Sequence, residues 1–204
     1  MPVRDRLRAG KLRGGTIIGC DVIVLEETES TNDVIAQMAV GDWPEGLCVF
    51  AEQQTAARGQ RGNKWEAAAG KGLWFSILLR PKIDIKESTR LTTWVAGIIA
   101  DTLHDEFELP ATVTPPNDVY INERKVAGVL VEMRAQPAAP HVAVVGIGIN
   151  VNHTPNDFSE EVRARATSVA IARRRRLDRN LVALALLRNL DRTYAELFGP
   201  SPSL

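Results

Sequence analysis

Three cations stand close together in the stretch AEQQTAARGQRGNKW (51–65): Arg58, Arg61 and Lys64. Gly59 and Gly62 lie between them and free the backbone to bend closely around a ligand. Guanidinium and ammonium groups suit phosphate or carboxylate. Trp65 closes the stretch with an aromatic face. Two further clusters carry chemistry. Ser30, Thr31 and Asn32, with Gln54, are neutral donors and acceptors suited to a polar, uncharged head group. Asn117, Asp118 and Lys125 combine two oxygen-bearing side chains with a cation. A reaction that needs all three is carboxylate activation by ATP. Two anions must meet there, and cations must offset their repulsion and the charge developing at the α-phosphate. Each cluster also has a plainer reading: a solvated loop, a helix N-cap and a turn before a hairpin.

Bulk composition narrows the classes. The chain has 204 residues, 45 % of them apolar, which suits one folded domain spanning 1–204. Lys plus Arg and Asp plus Glu both number 25. A protein whose main task is to grip nucleic acid usually carries a basic excess, so no nucleic-acid partner is expected. No apolar run has the length of a membrane span, no secretory signal opens the chain, and two cysteines make no disulfide framework. A cytoplasmic protein with no membrane partner is the expectation. His104, His141 and His153 lie too far apart to suggest a metal site, and none is assigned.

The elements that must position these residues follow from pattern. Residues 1–14 read as a basic lead-in. Strands are expected at 16–25, 47–52, 72–80 and 142–152, with a hairpin of 118–121 and 125–134. Gly128, inside the second hairpin strand, marks a close backbone approach or a bulge. Helices are expected at about 32–40, capped by Ser30 or Thr31, and at 88–108, capped by Ser88. Another follows Ser159, and a last one is capped by Asp178, with Leu181, Leu184, Leu187, Leu190, Tyr194 and Leu197 inward. The sum is an α+β chain: a mixed sheet with flanking helices, its strand ends carrying the three clusters.

The segments ESTN (29–32), QTAARGQRGNKW (54–65), PNDVYINERKVAGVLVE (116–132), GIGINVN (146–152) and RATSV (165–169) together resemble the catalytic domain of the biotin protein ligases, in that family's order. The resemblance implies a fold related to class II aminoacyl-tRNA synthetases. It implies that biotin and ATP, with Mg²⁺, give biotinyl-5′-AMP, and that a lysine of a biotin carboxyl carrier protein, from acetyl-CoA carboxylase or a related carboxylase, then attacks. By position, Ser30, Thr31, Asn32 and Gln54 would line the biotin head pocket. Gly128, Leu130 and Gly148 would form its walls, and Arg58, Gly59 and Gln60 the covering loop. Lys125 would meet the biotin carboxylate and then the α-phosphate, with Arg58 and Asp118 as catalytic partners. Arg58, Arg61, Lys64, Trp65, Asn117, Lys125 and Asn150 would hold ATP. A homodimer through a sheet edge is also implied.

The chain departs from the family pattern in two places. The loop reads Ala57-Arg58-Gly59-Gln60-Arg61-Gly62 where relatives usually have Gly-Arg-Gly-Arg-Arg-Gly. Thr114-Pro115-Pro116-Asn117-Asp118 replaces the usual Lys-Trp-Pro-Asn-Asp, so a cation is lost in each. Neither an N-terminal DNA-binding domain nor a C-terminal β-domain is expected. Two other readings stay open: lipoate or octanoate transfer, which would want an apolar slot, and a biotin- or carrier-binding protein with little turnover, which the lost cations favour.

Overall fold

The computed structural model describes residues 5–136 and 140–198. In chain order the elements are α1 (Ala9–Leu12), β1 (Val22–Thr28), α2 (Thr31–Met38), β2 (Cys48–Gln54), β3 (Leu73–Leu79), α3 (Ser88–Asp105), β4 (Ala111–Thr114), β5 (Asp118–Ile121), β6 (Arg124–Arg134), β7 (Val142–Ile149), α4 (Glu160–Arg163), α5 (Val169–Arg173) and α6 (Arg179–Phe198). The seven strands form one sheet in the order β1-β2-β3-β7-β6-β5-β4. Only β1 and β2 run parallel; the other neighbours are antiparallel. The mixed sheet expected from the sequence is present.

Alternation along the strands divides the side chains between two faces. Phe50, Leu73, Phe75, Ile77, Ala127, Val129, Val145, Ile147 and Ile149 join the large core with Leu91, Val95 and Ile99 of α3 and with Leu186, Leu187 and Leu190 of α6. The opposite face carries a smaller core, Val49, Leu78, Val142 and Val144, under Ile35 and Ala36 of α2. Strand parity puts Trp74, Ser76, Gly128, Leu130, Glu132, Gly146 and Gly148 on this second face. There α2 covers only one end.

Several expected boundaries move for identifiable reasons. Residues 16–20 form a turn, not strand, because the carboxylate of Asp191 collects the backbone N–H groups of Thr16, Ile17 and Ile18. Ser30 occupies the N-cap of α2 but makes no side-chain cap; the first-turn N–H of Thr31 goes instead to Gln54 Oε1 at 2.7 Å. Ser88 does not cap α3. The capping box lies one turn earlier, where Asp84 accepts from Lys86 N and Glu87 accepts from Asp84 N. The helix expected after Ser159 is two short ones. Between them the chain leaves helical geometry so that Arg165 and Thr167 can bond the backbone of Lys125. Ser159 spends its hydroxyl on Glu66, and Ser168 caps α5. Asp178 does cap α6, accepting from Asn180 N at 2.9 Å. The inward stripe of α6 is rotated: Val182, Leu186, Leu187, Leu190, Tyr194 and Phe198 are buried, whereas Leu181 and Leu197 are 62 % and 54 % exposed.

The lead-in is part of the core structure from residue 5 onward; residues 1–4 lie outside the described residues. Arg179, fully buried, donates to Asp5 O at 2.7 Å, Glu52 Oε2 at 2.7 Å and Gly72 O at 3.1 Å. Glu52 also accepts from Leu7 N. Removing Glu52 leaves the buried guanidinium with only the longer 3.4 Å pair to Asp5 and strips Leu7 N of its acceptor in a dry interior. Glu52→Ala is expected to lower stability by about 3–5 kcal/mol, read from urea unfolding.

His153 is 1 % exposed, stacked on Phe158 and edge-on to Trp74, with neither ring nitrogen hydrogen-bonded among the described residues. Burial pushes its pKa down to about 4; Lys71 adds to this, while Asp157 and Glu66 oppose it. The folded pKa lies below the unfolded value of roughly 6.5. Protons therefore bind the unfolded chain first as pH falls. The stabilisation is intact above pH ~6.5 and is lost between there and pH ~4, in total about 3 kcal/mol. Melts from pH 7 to 4.5 should show a steeper loss for the native protein than for His153→Phe. Equal slopes would mean that the imidazole contributes nothing.

Candidate functional site

A cavity of about 360 Å³ opens on the second face of the sheet, beyond the end of α2. Its floor is made of glycine. Gly128 of β6 and Gly148 of β7 are register partners, and Trp65 lies across them. A Cβ on either would come within 2.9 Å of the indole. Gly146 is closed in the same way: a Cβ there would sit 2.3 Å from Asn32 Oδ1. The sheet thus lacks side chains where the Trp65 indole and the Asn32 amide lie against it. Gly128 is a close approach, as the sequence suggested. The irregularity in the hairpin comes just before it, where Val119 faces Ala127 but Tyr120 faces Lys125.

That irregularity leaves Val126 as an extra residue in β6, buried in the large core beside Ala127. Regular alternation would have turned Val126 to the open face and Lys125 into the core. The bulge reverses this and sets Lys125 on the cavity. The backbone is fixed there by Lys125 N to Arg165 O at 2.8 Å and Thr167 N to Lys125 O at 2.9 Å. Asn150 joins the same clasp, its side chain donating to Thr167 O at 3.1 Å. The segment RATSV therefore contributes no reactive group and instead holds two that could be.

The structure brings Ser30, Thr31, Asn32, Gln54, Arg58, Gly59, Gln60, Arg61, Lys64, Trp65, Asn117, Asp118, Lys125, Gly128, Leu130 and Gly148 onto this one cavity. Asn150 is the exception. It lines a second cavity of about 520 Å³ with Tyr120, Phe158, Glu161 and Arg165. Asn63, Lys64, Trp65, Asp118 and Lys125 border both, so Trp65 and Lys125 stand at the junction. Lys125 Nζ is 5.3 Å from the Trp65 ring centre and 2.6 Å from Asp118 Oδ1. Trp65 Nε1 is buried with no hydrogen-bond partner among the described residues.

The neutral end of the first cavity is a closed network. Thr31 Oγ1 lies 2.7 Å from Ser76 Oγ, which donates to Asn32 Oδ1 at 2.6 Å. Asn32 Nδ2 donates to Glu132 at 2.5 Å. Arg58 donates to Asp33 through both terminal nitrogens, at 2.8 and 2.7 Å, and to Glu132 at 3.2 and 3.3 Å. The guanidinium holds the Asp33 carboxyl below its usual range, chiefly through the hydrogen bonds, and the two acids push the Arg58 pKa up. Arg58 thus arrives at the site already neutralised, whereas Arg61 and Lys64 take part in no salt bridge among the described residues. Asp33, Ser76 and Glu132 were missed by the sequence reading. Strand parity with Gly128 and Leu130 was the signal for Glu132, and parity with Trp74 for Ser76; Asp33 only needed its place beside Asn32.

The biotin/lipoate A/B protein ligase family matches residues 24–150. The chain is 33 % identical over 180 residues to the bifunctional ligase/repressor BirA of Bacillus subtilis, covering 88 % of this chain but 55 % of that protein. It is 34 % identical over 209 residues to the biotin–[acetyl-CoA-carboxylase] ligase of Mycobacterium tuberculosis, covering 100 % and 75 %. It superposes on the biotin protein ligase of Aquifex aeolicus solved with biotin and ATP, with a TM-score of 0.72 at 31 % identity, over 88 % of this chain and 73 % of that one. The chain therefore spans little more than half the length of the BirA proteins it matches.

Proposed function

This chain belongs to the biotin/lipoate A/B protein ligase family, and we propose that it activates biotin with ATP to biotinyl-5′-AMP and transfers the biotinyl group to a lysine of a biotin carboxyl carrier protein. The carrier would belong to acetyl-CoA carboxylase or a related carboxylase. One observation carries this reading. A single cavity is neutral and hydrogen-bonding at one end, cationic at the other, and joined at Trp65 and Lys125 to a second cavity. That is the shape of a site for a polar head group, a carboxylate and a nucleotide.

In this reading the head group sits among Ser30, Thr31, Asn32 and Gln54, with Gly128, Leu130 and Gly148 as walls and Arg58, Gly59 and Gln60 above. Its carboxylate reaches Lys125. Arg61 and Lys64 meet the phosphates, and the base lies towards Trp65, Asn117 and Asn150. A carboxylate oxygen attacks the α-phosphorus and pyrophosphate leaves. The carrier's lysine amine then attacks the acyl carbon, forms the amide and expels AMP. Lys125 matters in both steps because it offsets charge where two anions meet. Asp118 keeps the ammonium aimed at that point before the ligands arrive. Arg58, held by Asp33 and Glu132, fastens the loop stem to the head pocket.

Among the described residues no group of three or more His, Cys, Asp or Glu side chains is placed to hold a metal. Mg²⁺ would thus ride mainly on the triphosphate, as it commonly does, with Asp118 as the carboxylate within reach. Bound there, it would shield the phosphate charges. A lipoyl or octanoyl substrate fits less well, because the closed end of the cavity is hydroxyl and amide. No helix among the described residues is long and apolar enough to cross a membrane. A homodimer along a sheet edge belongs to the same reading: among the described residues β1 and β4 are the outer strands of the sheet.

Lys125→Ala should fold and bind biotin yet raise the barrier to adenylate formation by about 2–4 kcal/mol. Single-turnover assays of biotinyl-AMP and pyrophosphate would measure this, run with biotin, octanoate and lipoate in parallel. Near-native synthesis in the mutant would remove Lys125 from the chemistry, and turnover of octanoate alone would replace biotin as the substrate.

A further inference from the structure

We propose that Glu132 is a positioning residue that fixes the direction of the hydrogen bonds in the head pocket, and through them which polar atoms the pocket offers to a cyclic urea. The proposal rests on biotin being the ligand. A carboxylate paired with arginine can only accept, so the Asn32 atom 2.5 Å from Glu132 is the amide nitrogen. Asn32 Oδ1 then faces Ser76, whose hydroxyl donates to it at 2.6 Å. Ser76 has one hydrogen, and it is used. Thr31 has a single hydroxyl hydrogen and two oxygens near it, Ser76 Oγ at 2.7 Å and Gln54 Oε1 at 3.0 Å; with the Ser76 hydrogen spent, the shorter contact takes it, so Thr31 donates to Ser76 rather than to Gln54. The hydrogens run one way, from Thr31 to Ser76 to Asn32 to Glu132.

The consequences for a ligand follow by counting. Thr31 Oγ1 keeps its acceptor positions for incoming N–H groups. Gln54 Oε1 is occupied by the backbone N–H of Thr31 at 2.7 Å, so the Gln54 amide hydrogens remain for a carbonyl oxygen. A cyclic urea has two N–H donors and one carbonyl, which is the complement. Thr31, Asn32 and Ser76 are 3 %, 4 % and 0 % exposed, so water cannot turn the chain around. Without Glu132 the amide of Asn32 is free to flip. Ser76 would then donate to Thr31 and block one of its acceptor positions, and the Thr31 hydrogen would turn to Gln54 Oε1, 3.0 Å away. Arg58 holds Glu132 at 3.2 and 3.3 Å while anchored on Asp33, which keeps the acceptor in place.

The test is biotin affinity measured by calorimetry without nucleotide, with thermal melting of each variant and the KM for ATP from pyrophosphate exchange. E132L should weaken biotin binding about tenfold or more, with the KM for ATP within about twofold. E132Q, whose amide oxygen can still accept from Asn32, should restore biotin affinity to within about threefold of native. S76A breaks the same chain. E132L/S76A should therefore bind biotin little worse than the weaker single variant, because the two losses are one loss. Native-like biotin affinity in E132L, additive losses in the double variant, or biotin and ATP affinities falling together with melting temperature would each overturn the proposal. Absence of biotin binding by the native protein would instead overturn the reading of the function on which it stands.

Discussion

A strand shows alternate residues to opposite faces, and the whole site depends on how that constraint is met. One face of the sheet must be apolar enough to hold α3 and α6. The other must carry hydroxyls, a carboxylate, an ammonium and three bare positions. The strands β3, β6 and β7 satisfy both at once. Leu73, Phe75 and Ile77 point one way while Trp74 and Ser76 point the other; Val129, Ile147 and Ile149 oppose Gly128, Gly146 and Gly148. A one-residue slip in any of these ladders would bury Glu132 or Ser76 among aliphatic side chains and expose the core. The large core thus fixes the register, and the register fixes the chemistry.

Charge in the site is organised in the same economical way. The cations that make an anion site plausible are not all free. Arg58 is matched by Asp33 and Glu132, and Lys125 by Asp118. Each pair lies across two elements: the loop stem on α2 and β6, and the bulged end of β6 on β5. Half-exposed ion pairs of this kind add little to stability. Their effect is geometric, since they hold long flexible side chains at one place before a ligand arrives. Arg61 and Lys64, which have no such partners among the described residues, supply the uncompensated part of the charge.

Much of this could be read in the residues themselves. Sixteen of the seventeen residues singled out share one cavity, and Asn150 lies in the one beside it. The clusters were legible because loops with Gly and Arg, and polar triplets at strand ends, are local patterns. The misses are of another kind. Gln54, which takes the first-turn N–H of α2, and Asp191, which gathers the N–H groups of residues 16–18, reach the backbone from distant elements, and no local pattern encodes that; the Asp84–Glu87 box before α3 is local and its spacing does encode it. The stripe of α6 was drawn through Leu181 and Leu197 by counting leucines, when alanines and valine share the buried side. The bulge was legible in principle: Val126 and Ala127 stand side by side where alternation has room for one. The break between α4 and α5 was not, because its cause, the backbone of Lys125, lies some forty residues earlier in the chain.

Arg179 ties these matters to the order in which the chain is made. Its guanidinium reaches Glu52, where the cationic loop begins, and Gly72, where it ends, across sequence separations of 127 and 107 residues; its bond to Asp5 spans 174. A polypeptide leaves the ribosome N-terminus first, and domains generally fold as units. The loop can therefore be translated, and its strands paired, well before the residue that clamps both its ends has emerged. Until then Glu52 is a carboxylate without its partner at the edge of an unfinished core. Vectorial synthesis leaves this half of the sheet waiting for α6, more than a hundred residues further along the chain, and the two ends of the loop are clamped only once Arg179 has been added.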